Sequence, residues 1–299
     1  MQFNNLVKGF IVAGALFASA AQAASIPLAE GIAILEDDNL EYVLDANGDL
    51  KTTGTLVVGD RLRAVITFQS SVDSANNEVA DLGAPGRELT GISEIEIKAI
   101  DAVSGLITFG ASDDFETVYG TGAMAALFSQ NVGDFFTNCH LTSIAACETT
   151  ATNGSEWMTV GFDDADDFWI ASGGLATTLG TLPLALATIE DILAIGPGTA
   201  IGTANYNLSI LANNTGYEFN QQFSAAANAV KGFTGGDGFV DLIGSGNLLG
   251  GAGLESGYFA RSDFDFQLDR RIPVPEPSTL AIFGLGLLGL GFRARRSAK

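Results

Sequence analysis

The stretch "YFARSDFDFQLD", Tyr258 to Asp269, decides how the rest of the chain is read. Phe264, Phe266 and Leu268 alternate with Asp263, Asp265 and Gln267. A period of two puts the apolar side chains on one face of a strand and the acids and amide on the other. Such a segment is a half-buried antiparallel strand, one face on a core and one in water.

The same signal recurs outward from it. "LRAVITF" (Leu62–Phe68), "EWMTVGF" (Glu156–Phe162), "DFWIAS" (Asp167–Ser172), "TANYNLSILANN" (Thr203–Asn214) and "GYEFNQQFS" (Gly216–Ser224) read as further strands. "ISEIEIKAID" (Ile92–Asp101) alternates too, with Ile92, Ile95, Ile97 and Ile100 as core contacts and a break in phase near Ser93. Helical composition is confined to Gly120–Val132, Leu182–Gly196 and Ala225–Phe233, the second punctuated by Pro183 near its start and Gly196-Pro197 past its end. The Gly-rich run Gly235–Gly257 reads as a surface loop. The expected fold is mainly β: an antiparallel β-sandwich or jelly-roll-like body with a few short helices, in one domain over residues 24–272.

Charge narrows the function. The 299 residues carry 35 acids against 14 Lys plus Arg, a net charge of −21. Several of those cations lie at the ends: Lys8 near the start, and Arg293, Arg295, Arg296 and Lys299 at the finish. The body between them is therefore still more acidic. It repels phosphate backbones, which excludes nucleic acid as an expected partner, and it suits a soluble exported protein.

Both ends read as addresses. "MQFNNLVKGFIVAGALFASAAQAAS" has a polar start with Lys8, an apolar run from Gly9 to Ala18, and the small-residue pattern Ala21-Gln22-Ala23. This is a secretory signal over residues 1–23, cut by signal peptidase between Ala23 and Ala24. A first buried helix would not need small residues at those positions. At the other end, Leu280 to Phe292 is an apolar run of 13 residues followed by Arg293, Arg295 and Arg296. As a helix it extends roughly 20 Å at ~1.5 Å per residue, short of the ~30 Å hydrocarbon core but able to cross with snorkelling arginines. The arginines hold their end in the cytoplasm, so the body faces the opposite side, in agreement with the signal peptide. Gly284, Gly286 and Gly289 do form a G-x-G-x-x-G. A dinucleotide site would need a strand before it and an acid about 20 residues later. "PVPEPST" precedes it, and no acid follows it.

Pro275-Glu276-Pro277, the Gly/Leu-rich run and the Arg cluster, in that order over residues 273–299, closely resemble the PEP-CTERM sorting signal of proteins exported by Gram-negative bacteria. The resemblance implies a chain exported through the inner membrane and held there transiently by its C-terminal transmembrane helix. An exosortase that recognises Pro275, Glu276 and Pro277 then cleaves near them, and the body passes to the cell surface or the medium. Family association adds exopolysaccharide, biofilm or floc as the setting.

Few residues in the body offer chemistry. Cys139 and Cys147 are the only cysteines and read as a disulfide in an exported protein. A metal site of Cys139, His140 and Cys147 would lack a fourth ligand. His140, the only histidine, reads as a solvated loop residue, and no G-x-S-x-G, H-E-x-x-H or P-loop occurs. Among the acid clusters, "EDDN" (Glu36–Asn39) is one candidate for calcium, and "DANGD" (Asp45–Asp49) is explained by an Asn47-Gly48 turn. Asp163, Asp164, Asp166 and Asp167 are the best calcium candidates, weighed against a solvated turn.

Three functions are consistent with these residues. The first is a non-enzymatic surface or matrix protein. The second is a carbohydrate-binding module, calcium-assisted at Asp163–Asp167, with Trp157 and Trp169 as stacking platforms. The third is a secreted hydrolase with two acids facing each other across a cleft.

Overall fold

The computed structural model describes residues 26–84, 86–130, 143–177, 180–228, 236–254 and 257–272. The signal sequence with Ala23 and Ala24, Cys139 and His140, and the segment carrying Pro275, Glu276, Pro277, Arg293, Arg295 and Arg296 lie outside the described residues.

The elements in chain order are β1 (Gly31–Leu44), β2 (Leu50–Lys51), β3 (Arg61–Asp73), β4 (Glu78–Asp81), β5 (Glu88–Asp101) and β6 (Leu106–Ala111). Then come α1 (Asp113–Tyr119), β7 (Ala123–Gln130), α2 (Ile144–Ala151), β8 (Ser155–Gly161), β9 (Phe168–Thr177), β10 (Gly180–Pro183) and α3 (Ile189–Leu193). The last are β11 (Ala200–Asn213), β12 (Phe219–Asn220), β13 (Gln222–Phe223), β14 (Phe239–Val240), β15 (Leu242–Leu249) and β16 (Ala260–Arg270).

All pairings are antiparallel, and they close on themselves. β1 pairs β3, β3 pairs β5, β5 pairs β7, and β7 pairs β8. The ring continues through β11, β15 and β16 and returns to β1. Those eight strands follow one another in chain order, so the wall is an up-and-down meander without the crossed connections of a jelly roll. The expectation of a mainly β, antiparallel body holds; the two-sheet sandwich is replaced by a single ring. An even number of strands is what lets an alternating meander close without a parallel seam.

One part of the wall is doubled. The first half of β5 (Glu88–Ser93) pairs with β7, and its second half (Ile95–Asp101) pairs with β6. β11 does the same: Gly202–Asn207 pairs with β9, and Ser209–Asn213 pairs with β8. Hairpin β7–β8 thus closes one half of the gap between β5 and β11, and the pair β6–β9 closes the other.

The ring interior is filled by aliphatic residues around an aromatic stack. Trp169 lies on Tyr206 at 4.4 Å between ring centroids, and Tyr206 meets Phe264 and Phe266 edge-on at 5.8 and 5.5 Å. A second apolar cluster lies outside the wall, where Phe115 of α1 and Cys147 and Ala151 of α2 cover Val65, Ile92, Ala126 and Phe128. Between these helices and the wall runs a buried ionic network. Glu94 binds Arg61 at 3.1 Å, Arg63 at 3.2 Å and the Ser112 hydroxyl, while Arg63 reaches Glu148 of α2 at 2.8 Å. Glu94 thereby ties the start of α1 to two neighbouring strands.

Several expectations are corrected. Ala123–Gln130 is strand β7, not helix: its small residues fit between β5 and β8, where both faces are covered and alternation disappears. Leu182–Gly196 contributes the edge residues of β10, one 3-10 turn at Leu184–Leu186 and only a short α3, which Thr188 and Asp191 cap reciprocally. Of Ala225–Phe233, residues 225–228 are helical and the remainder lies outside the described residues. Gly216–Ser224 supplies only the two-residue strands β12 and β13. Gly235–Gly257 is not a surface loop, because it contains β15, a central member of the ring.

Candidate functional site

β15 lies between β11 and β16, and their register sets side chains in rows across the outer wall. Thr203 pairs with Asn247, which pairs with Asp263; Asn205 pairs with Ser245, which pairs with Asp265. Because strand side chains alternate, all six project outward while Tyr206, Phe264 and Phe266 point inward. They line an open groove of about 380 Å3. The six are exposed, and their side chains make no hydrogen bond to another described residue. Their chemistry is mixed: two hydroxyls, two carboxamides and two carboxylates.

The next row along the strands, Asn207–Ile243–Gln267, is covered. Gln222 of β13 accepts a 2.7 Å hydrogen bond from the Gln267 amide, and Asn207 donates to Ser224 at 2.8 Å. The small sheet β13–β14 therefore lies on the wall over this row, next to the groove. With Gln222 and Val240 buried against the barrel, alternation turns Phe223 and Phe239 the other way. Their rings meet edge-on at 5.7 Å and stay 57% and 44% exposed.

The acidic turn adjoins this small sheet. Gly238 donates its backbone N–H to Asp166 at 2.6 Å. Asp167 accepts from the backbone of Asp163 at 2.7 Å and Asp164 at 3.2 Å, and Asp164 accepts from Asp166 N–H at 3.2 Å. Asp164 and Asp167 thus each give an oxygen to N–H groups of their own turn, and Asp166 gives one to the turn before β14. Among the described residues no group of three or more His, Cys, Asp or Glu side chains is arranged to hold a metal. Burial pushes the Asp167 carboxyl up to about 6. Desolvation and the hydrogen bond to Asp166 push the Asp164 carboxyl up, while that bond holds Asp166 down.

On the open side of the groove the acids extend onto β1. Glu36 pairs with Asp265, and Asp38 lies beside Asp263. Partial desolvation, then repulsion from Glu36 and Asp263, raises the Asp265 carboxyl above its ordinary value. Asp38 is raised too, by desolvation and by Asp263, partly offset by Arg261.

The tryptophans are a correction. Trp157 and Trp169 are only 1% and 4% exposed and belong to the interior, so neither can stack on a ligand. The exposed aromatics beside the acidic turn are Phe223 and Phe239 instead. The two groove acids share one strand and one floor, so they do not oppose each other across a cleft as a glycosidase pair does. Cys147 is buried on α2, and its expected partner Cys139 lies outside the described residues.

Asp263 and Asp265 are legible in the sequence as an outward face, whereas Ser245 and Asn247 are not, because the glycines of "DLIGSGNLL" read as a loop. The signal is present there: Leu242, Gly244, Gly246 and Leu248 alternate with Ile243, Ser245 and Asn247, glycine standing where a large residue is usual.

The class that emerges is a β-rich exported body followed by a C-terminal sorting segment. The chain carries a PEP-CTERM protein-sorting motif, matched over residues 273–296. That motif implies export, C-terminal membrane anchoring and processing by an exosortase. No curated protein matches the chain. Among the described residues no helix is long and apolar enough to cross a membrane, and the run Leu280–Phe292 lies outside them.

Proposed function

We propose that the chain is a non-enzymatic protein of the cell surface or extracellular matrix, freed from its membrane anchor by an exosortase and acting in association with exopolysaccharide. The observation that carries this reading is the sorting motif at residues 273–296. The acidic composition supports it, since a self-repelling surface keeps an exported protein soluble. The test is the intact mass of the mature protein from its native cells, with and without the exosortase. The expected mass lacks the signal peptide and the residues after Pro275-Glu276-Pro277 only when the exosortase is present. A mature surface protein that keeps its arginine-rich C-terminus overturns the reading.

A carbohydrate-binding body is the second reading. The observation in its favour is the groove with free amides, hydroxyls and carboxylates beside an exposed aromatic pair. Calcium assistance draws no support from the turn Asp163–Asp167, where the carboxylates of Asp164, Asp166 and Asp167 accept backbone N–H groups.

A further inference from the structure

We propose that the groove across β11, β15 and β16 binds an uncharged, hydroxyl-rich chain, a neutral glycan, that lies along Thr203, Asn205, Ser245 and Asn247. The proposal rests on the reading of the chain as an exported surface protein, deepens the carbohydrate-binding alternative, and adds where the chain lies and that it is uncharged.

The floor is preorganised. Its central strand is hydrogen-bonded on both sides, so the rows are held at the ~4.8 Å strand spacing without ordering a loop. Sugar hydroxyls both donate and accept, and the floor offers both: carboxamide N–H groups donate, carboxylates accept, and Thr203 and Ser245 do either. Binding breaks no existing side-chain hydrogen bond, because the six floor residues make none to another described residue.

Charge selects among hydroxyl-rich chains. Asp263 and Asp265, backed by Glu36 and Asp38 on β1, repel uronates and sulfated polymers. They equally repel a second copy of this protein, which would present the same acids and the same net charge of −21. A cationic peptide would be drawn to these carboxylates, but it would leave the amides and hydroxyls of the floor without matched partners.

Affinity electrophoresis of the mature protein tests the proposal. Gels contain a soluble neutral glucan, mannan or galactan, or a soluble polyuronate, and polylysine binding is measured in parallel. The expected result is retardation in at least one neutral glycan and none in the polyuronate. The double variant Asn205→Ala/Asn247→Ala, at exposed positions, is expected to weaken that retention by about tenfold or more. Thr203→Ala/Ser245→Ala weakens it independently, through the hydroxyls of the same floor. No retardation in any neutral glycan, retention unchanged in both variants, or binding to polylysine alone overturns the proposal. The C-terminal mass separates this from the reading beneath it: correct processing without glycan binding sinks only the inference, and glycan binding without processing sinks only the sorting role.

Discussion

Glu41 faces the ring interior, where a carboxylate is costly. It is 6% exposed, and the Ser262 hydroxyl donates to it at 2.6 Å. Ser262 in turn accepts from Asn39 at 3.1 Å, and Asn39 donates to Asp37 at 3.1 Å, so a polar line runs up the inside of β1. The bulge between Glu36 and Asp37 explains its upper end, since Asp37 accepts the Phe264 N–H at 2.9 Å. Burial pushes Glu41 up to about 7 and raises Asp37 well above the usual carboxylate range. Acids raised by folding stabilise the native state fully only below their ordinary values, and that stability is lost as pH rises through the folded value. For Glu41 the window runs from about 4.5 to about 7. At ~1.4 kcal/mol per unit the loss is on the order of 3 kcal/mol. Urea unfolding at pH 5 and pH 8 should therefore show greater stability at pH 5, and Glu41→Gln should remove part of the difference by stabilising the protein at pH 8, the rest remaining with Asp37, Asp164 and Asp167, whose carboxyls folding raises as well. A variant with unchanged pH dependence would show that Glu41 is not one of the groups responsible. In sequence, "EDDN" looked like one acidic cluster. Strand alternation splits it, with Asp37 and Asn39 inside and Glu36 and Asp38 outside.

β15 shows why an element can be hidden by its own composition. Glycine is unfavourable in strands and signals a loop. Here a Cβ on Gly244 would sit 1.8 Å from the Tyr206 ring, and one on Gly246 would sit 2.2 Å from the Phe264 ring. The glycines are the space into which aromatic residues of the neighbouring strands fold. Gly244→Ala should cost about 3 kcal/mol or more by overpacking, read as a lowered urea midpoint with little change in slope. A near-neutral result would mean that the Tyr206 ring can move away. β5 teaches the converse. Its strand geometry runs unbroken through Ser93: Ile95 and Ile97 point into the ring, while Ile92, on the opposite face, packs outside it under the helices. A strand covered on both faces carries apolar residues on both, so the apolar pattern changes phase although the pleat does not.

At the scale of the whole molecule, the barrel interior is mainly apolar and its uncovered wall is polar, with Asp263, Asp265, Asn205 and Asn247 on that wall. That is the reverse of a transmembrane barrel, whose outer band is apolar. Its excess of acids makes the native state self-repelling, and salt screens that repulsion over a Debye length of ~10 Å at 0.1 M. Raising NaCl from low salt to about 0.15 M should therefore raise the thermal midpoint, a shift that differential scanning calorimetry would register. A falling midpoint would show that favourable pairs such as those around Glu94 outweigh the general repulsion. What the sequence determined by itself was local or covalent: the alternating strand at Tyr258–Asp269, the acidic balance, and a sorting motif that acts as linear text and needs no fold. Tertiary structure alone decided the ring closure, the burial of Trp157 and Trp169, and the rows of the groove. Those rows join residues of β11, β15 and β16, and only antiparallel register, a long-range property of paired backbones, brings them side by side.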